Sequence, residues 1–119
     1  MNKIVISFIF IIGIIVTGII LGKLGKPYNG ILFNLHKLIS VGTVIYLGYI
    51  LFQHTKIQAM DKMTITLTII SIISLIILMI SGSFMSIGKG NYTLIRIFHI
   101  ITSTSFTVST GVLLYFNFR

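Results

Sequence analysis

Four long apolar stretches separated by short polar turns leave this chain very little choice of fold. They run from Ile4 to Leu21, Ile31 to Phe52, Met63 to Ile80 and Leu94 to Phe116. Each is close to the roughly 17 to 25 residues that carry an α-helix through about 30 Å of hydrocarbon. In lipid an unpaired backbone amide finds no water, so stretches of this length cross as helices. Composition agrees: 55% of residues are hydrophobic and 8% charged, with a mean hydropathy of +1.10, which leaves too little polar surface for a soluble domain. The sequence therefore predicts an all-α integral membrane four-helix bundle, one transmembrane domain over residues 1–119, with helices at about 4–21, 31–52, 63–80 and 94–116. Four spans put both termini on one side. The apolar run after Met1-Asn2-Lys3 lacks a small-residue cleavage pattern and reads as the first helix rather than as a removed leader.

Nine Lys/Arg stand against one acid, Asp61, for a net charge of +8. The cations are scattered singly at the ends of the predicted helices instead of being grouped with aromatics, which argues for anchoring to anionic lipid and against nucleic acid. Lys23, Lys26, Lys37, Lys89 and Arg96 lie toward the two Gly/Lys turns, and Lys3, Lys56, Lys62 and Arg119 toward the termini. With Lys37 and Arg96 set aside as helical, the balance leans toward cytoplasmic termini in a multi-pass cell-membrane protein, most simply a bacterial plasma membrane. The chain has no cysteine, which excludes disulfides, thiolate-held zinc or iron–sulfur clusters, covalent c-type haem attachment and S-acylation.

Turn chemistry places the boundaries. Pro27 suits the first turn of helix 2, Asp61 or Thr64 the cap of helix 3, Ser81-Gly82 its end, and Asn91 or Thr93 the cap of helix 4. Gly18 and Gly22 have the G-x-x-x-G spacing that lets another helix approach closely, inside the bundle or in a homodimer.

The halves are related. At an offset of 63 residues, Gly25-Lys26 falls on Gly88-Lys89, His36 on His99, Ser40 on Ser103, Gly48 on Gly111 and Leu51 on Leu114. The chain thus reads as a tandem repeat of two transmembrane helices, each copy carrying one histidine a few residues inside its second helix. Because a two-helix copy has even parity, helices 2 and 4 run parallel and place His36 and His99 at similar depth. On the His36 face follow Ile39, Ser40, Thr43 and Leu47, and on the His99 face Thr102, Ser103, Phe106 and Thr110.

Two imidazoles at one depth among small and apolar neighbours suit the two axial positions of a single b-type haem. Ser40, Ser103 and Thr43 would support the ligands, and Phe106 would pack on the macrocycle. Arg96, one turn before His99, with Lys26 and Lys89, related by the repeat, would receive the two propionates. The blander reading gives each histidine a hydrogen bond to a neighbouring hydroxyl or a place among headgroups. His54, beside the most polar connection and with no second histidine facing it, takes that blander reading.

With these residues in place, the chain resembles the membrane b-type cytochromes with four-helix cores, the cytochrome b561-like proteins above all. Lys26-Pro27-Tyr28-Asn29 followed by Leu35-His36-Lys37-Leu38, with Leu94 to His99 later, is also similar to small four-span bacterial membrane proteins of undefined role. The resemblance implies haem b held between parallel helices by histidine pairs, and electrons exchanged with a membrane quinol or a membrane redox complex. Here there is one such pair, hence one haem per chain. A bis-histidine iron has no open position, which favours electron transfer over oxygen binding.

Two alternatives remain open: a haem-free small subunit of a larger membrane complex, and a small-molecule transporter of multidrug-exporter size. Against the exporter, helix 1 lacks the membrane-embedded acid on which proton-coupled export of cations depends. No triad, carboxylate pair, H-E-x-x-H motif or phosphate loop points to other enzyme chemistry.

Overall fold

The computed structural model describes residues 2–117. Four helices fill it: α1 (Lys3–Leu24), α2 (Gly30–Ile57), α3 (Lys62–Ile87) and α4 (Tyr92–Asn117). All four are long and apolar enough to cross a membrane. Sequence neighbours pair, α1 with α2 and α3 with α4, and the chain divides into two compact units, Met1–Ala59 and Met60–Arg119. Each unit is a helical hairpin. Arg119, counted above among the cations of the terminal side, lies outside the described residues.

Short amide and carboxylate side chains start the helices, because the first amides of a helix have no partner within it. Asn2 Oδ1 accepts from the Ile4 amide at 3.0 Å, and Asn29 Oδ1 from the amides of Ile31 and Leu32 at 3.1 Å each. Asp61 Oδ1 accepts from the Thr64 amide at 2.9 Å, and Asn91 Oδ1 from the Leu94 amide at 3.2 Å. Of the paired expectations, Asp61 and Asn91 therefore take the caps. Hydrogen bonds from the Thr64 side chain and amide hold the Asp61 carboxyl below its usual range. Pro27 lies ahead of α2 rather than in its first turn, since Asn29 occupies the cap.

The helices run past the apolar windows at their C-terminal ends. α2 continues through Gln53 and His54 to Ile57, and α3 passes Ser81-Gly82 and continues to Ile87. A hydropathy window closes where polar side chains begin, but the backbone hydrogen bonds of a helix do not require apolar side chains. The stops of α1 and α3 are instead Gly25 and Gly88, with φ of 69° and 70°, a region L side chains avoid.

The hairpins are closed differently. Between α1 and α2 the contacts are mainly apolar and aromatic, with the Tyr46 hydroxyl reaching across to Lys3 O at 3.5 Å and the Thr17 hydroxyl to His36. Phe10 stacks on Tyr46 with centroids 5.8 Å apart. The bare backbones of Gly13 and Gly42 receive Ile39 and Phe10, which a Cβ would meet at 3.5 and 3.4 Å. The buried hydroxyls of Ser7 and Thr43 turn back to their own helices, onto Lys3 O at 2.9 Å and Ile39 O at 2.8 Å.

Between α3 and α4 hydroxyls reach across. Ser71 meets Ser109 at 2.9 Å and Thr110 at 3.2 Å, Ser74 meets Ser105 at 3.4 Å, and Thr64 bonds Asn117 at 3.0 Å. Among the described residues no buried side-chain nitrogen or oxygen lacks a partner. The outward faces of all four helices carry large apolar side chains, among them Ile9, Ile12, Ile45, Ile72, Ile76 and Ile101.

Candidate functional site

His36 projects from the second turn of α2 onto α1. Its Nδ1 lies 2.8 Å from the Thr17 hydroxyl. The ring edge rests on Gly18, where an added Cβ would stand 3.2 Å from Cε1 and 3.8 Å from Nδ1. His99 projects from α4 onto α3 in the same way. Its Nδ1 lies 2.7 Å from the Ser81 hydroxyl, and a Cβ on Gly82 would stand 3.4 Å from Cε1 and 4.0 Å from Nδ1.

Each hairpin thus contains one imidazole, one hydroxyl and one glycine in the same arrangement. The reason is steric as much as chemical. An imidazole set against a neighbouring helix approaches most closely where there is no side chain, and a glycine supplies that position, more tightly at Gly18 than at Gly82. The residue before that glycine then reaches Nδ1 with its hydroxyl.

Gly82 is accordingly not the end of α3 but an interior residue on which His99 packs. The spacing differs by one: Thr17 precedes His36 by 19 residues, and Ser81 precedes His99 by 18. An ungapped offset of 63 aligns the histidines and misses the hydroxyl–glycine pairs. A slip of one residue before the turn would have shown them.

In both hairpins the hydroxyl at Nδ1 comes from the preceding helix. Ser40 donates to the His36 carbonyl at 2.7 Å, one helical turn back, and Thr43 does the same to Ile39. Serine and threonine inside helices commonly satisfy themselves in this way. Ser103 is half-buried on α4, with its carbonyl accepting from Thr107 at 2.9 Å, and Phe106 is buried.

The expected basic residues lie near the N-terminal ends of α2 and α4. Lys26 and Lys89 each follow a positive-φ glycine, and Arg96 is exposed in the early part of α4, one turn before His99. Lys26 Nζ is 5.9 Å from the Tyr28 ring centre, and Lys37 Nζ is 4.2 Å from that of Phe33, distances at which a cation is attracted to the ring face. His54 is in the last turn of α2, at the other end of that helix from His36.

His36 and His99 belong to different hairpins. Among the described residues no group of three or more His, Cys, Asp or Glu gathers as a metal cluster would require. A bis-histidine haem asks for less, one imidazole from each side, each oriented through its second nitrogen. The donor set fits that requirement, since a hydroxyl engages Nδ1 of both rings. Compared with family models, with curated proteins and with solved structures, the chain matches none.

Proposed function

We propose that this chain is a multi-pass membrane b-type cytochrome, a tandem repeat of two-helix units that holds one haem b per chain through His36 and His99. It would pass electrons between a membrane quinol or redox complex and an acceptor, in a cell membrane, with its termini on the cytoplasmic side. The observation that carries the reading is the duplicated histidine setting. Each imidazole is packed on a glycine and held at Nδ1 by a hydroxyl, at corresponding places in two hairpins. Four helices of spanning length with apolar outer faces support the membrane location.

Held by these two imidazoles, haem would supply one-electron chemistry. The chain's own residues do the rest. His36 and His99 ligate. Thr17 and Ser81 orient them. The apolar helix faces exclude water. Arg96, Lys26 and Lys89 provide positive charge toward the N-terminal ends of α2 and α4 for two carboxylates.

A second reading is favoured by one observation: the Thr17–His36 and Ser81–His99 bonds also tie the two helices of each hairpin together. A haem-free subunit would use them for that alone. A dithionite-reduced minus oxidised visible spectrum of the purified chain, expressed with haem available, separates the two. A sharp low-spin b-type α-band at about one haem per chain is expected. A folded, colourless protein that takes up no haem on titration gives first place to the subunit.

A further inference from the structure

We propose that Thr17 is a positioning residue whose hydroxyl holds His36 with the ring proton on Nδ1 and the lone pair on Nε2, over a floor made by Gly18. One hydroxyl proton has to serve several neighbours. The Thr17 hydroxyl has one hydrogen, and three groups surround it: Gly13 O at 2.7 Å, Ile14 O at 3.1 Å and His36 Nδ1 at 2.8 Å. The carbonyls can only accept. At 2.7 Å, two oxygens without a hydrogen between them would repel, so the hydroxyl proton goes to Gly13 O. The hydroxyl then offers Nδ1 a lone pair, and Nδ1 must donate. A neutral imidazole that donates from Nδ1 keeps its lone pair on Nε2.

At His99 the balance is closer. The Ser81 hydroxyl has Leu78 O at 3.2 Å as its carbonyl acceptor and Nδ1 at 2.7 Å. There the single hydroxyl proton has two acceptors within reach, so the hydroxyl holds the ring in either tautomer. Gly18 matters to the same setting as Thr17, since a methyl group there would stand 3.2 Å from His36 Cε1, tighter than ordinary contact, and the ring or the helix would have to give by a few tenths of an ångström.

The purpose of this arrangement rests on the cytochrome reading, in which Nε2 is the nitrogen that meets iron. Its geometry does not rest on it. In water an unconstrained neutral imidazole carries its proton mainly on Nε2, so the protein would be inverting a solution preference.

The test is the ¹⁵N NMR spectrum of the full haem-free chain in detergent micelles. It is labelled at histidine, held at a pH where the rings are neutral, and assigned with His54→Gln and His99→Gln. His36 is expected with a protonated Nδ1 and a bare Nε2. Thr17→Val, which keeps the shape and removes the hydroxyl, should return the proton to Nε2, and Thr17→Ser should retain the native tautomer. A wild-type His36 protonated on Nε2, or a Thr17→Val spectrum unchanged from wild type, overturns the inference. The wild-type spectrum decides even if the valine variant does not fold.

Haem titration of the same samples keeps the two proposals apart. Thr17→Val should bind haem about 10- to 100-fold more weakly, with Thr17→Ser restoring the affinity. Haem uptake by a chain whose His36 is protonated on Nε2 overturns the positioning role and leaves the cytochrome. The Nδ1 tautomer in a chain that binds no haem upholds the positioning role and removes the cytochrome.

Discussion

The two hairpins hold their histidines in the same way and their helices in different ways. In α1–α2 the hydroxyls of Ser7 and Thr43 are spent on their own helices and the seam is made by Phe10, Tyr46, Ile39 and two glycines. In α3–α4 the residues 64 positions after Ser7 and Phe10 are Ser71 and Ser74, and both reach across to hydroxyls of α4. If these helices lie in lipid, as proposed, burying one apolar side chain against another gains little, because hydrocarbon tails are as apolar as leucine. Close packing and interhelical hydrogen bonds are the two remaining sources of association. Each hairpin uses mainly one of them. The imidazole setting is the part that does not vary, which is why the functional proposal rests on it and not on the seams.

Breaking the aromatic seam should have the largest effect. Phe10→Ala removes the Tyr46 stack and empties the space over Gly42, and is expected to destabilise the first hairpin by about 2 kcal/mol in denaturant titration in micelles. Ser74→Ala, at the corresponding place in the second hairpin, gives up only a 3.4 Å bond and should cost less than about 0.5 kcal/mol. Equal effects would mean that the seams are not different in kind.

The reverse contrast is expected one helical turn earlier. Ser71→Ala loses two cross-helix partners and should cost about 1 kcal/mol, at roughly 0.6 kcal/mol for each bond of this type in a membrane. Ser7→Ala loses only a bond to its own helix and should stay within about 0.5 kcal/mol. Hydrogen exchange, read hairpin by hairpin, would locate each loss.

The smallest difference is one of pH. α2 starts on the amide of Asn29, which does not titrate, whereas α3 starts on the carboxylate of Asp61. Folding holds the Asp61 carboxyl below its ordinary value, so its contribution is present above the unfolded carboxylate range and is lost as pH falls through the lower, folded value. Amide protection at Thr64 and Ile65, measured against the intrinsic exchange rate at each pH, should therefore fall on acidification below the carboxylate range, and that at Ile31 and Leu32 should not. Asp61→Asn should remove the difference.

Much of this could be read from residue types alone. Four apolar runs between polar turns point to four helices, and the matched histidines point to a related setting in each half, whereas the caps Asn2 and Asn29 are visible only in the structure. The helix ends were less legible because Ser81-Gly82 has the composition of a terminus, and only the presence of His99 above it makes Gly82 an interior packing site. The orienting hydroxyls were missed for a related reason. Helical periodicity points to Ser40 on the same face as His36, but a serine four residues on satisfies itself with the His36 carbonyl. The hydroxyl that reaches the ring arrives from another helix, at a distance of 18 or 19 residues that no single-helix rule contains.

Reduced minus oxidised visible spectra of three histidine variants of the haem-loaded chain decide whether His36 and His99 are the ligands. His36→Ala and His99→Ala should each abolish the low-spin α-band or convert it to a high-spin form, and His54→Ala should leave it intact. A low-spin band that survives loss of either His36 or His99, or that disappears with His54 alone, would contradict the assignment.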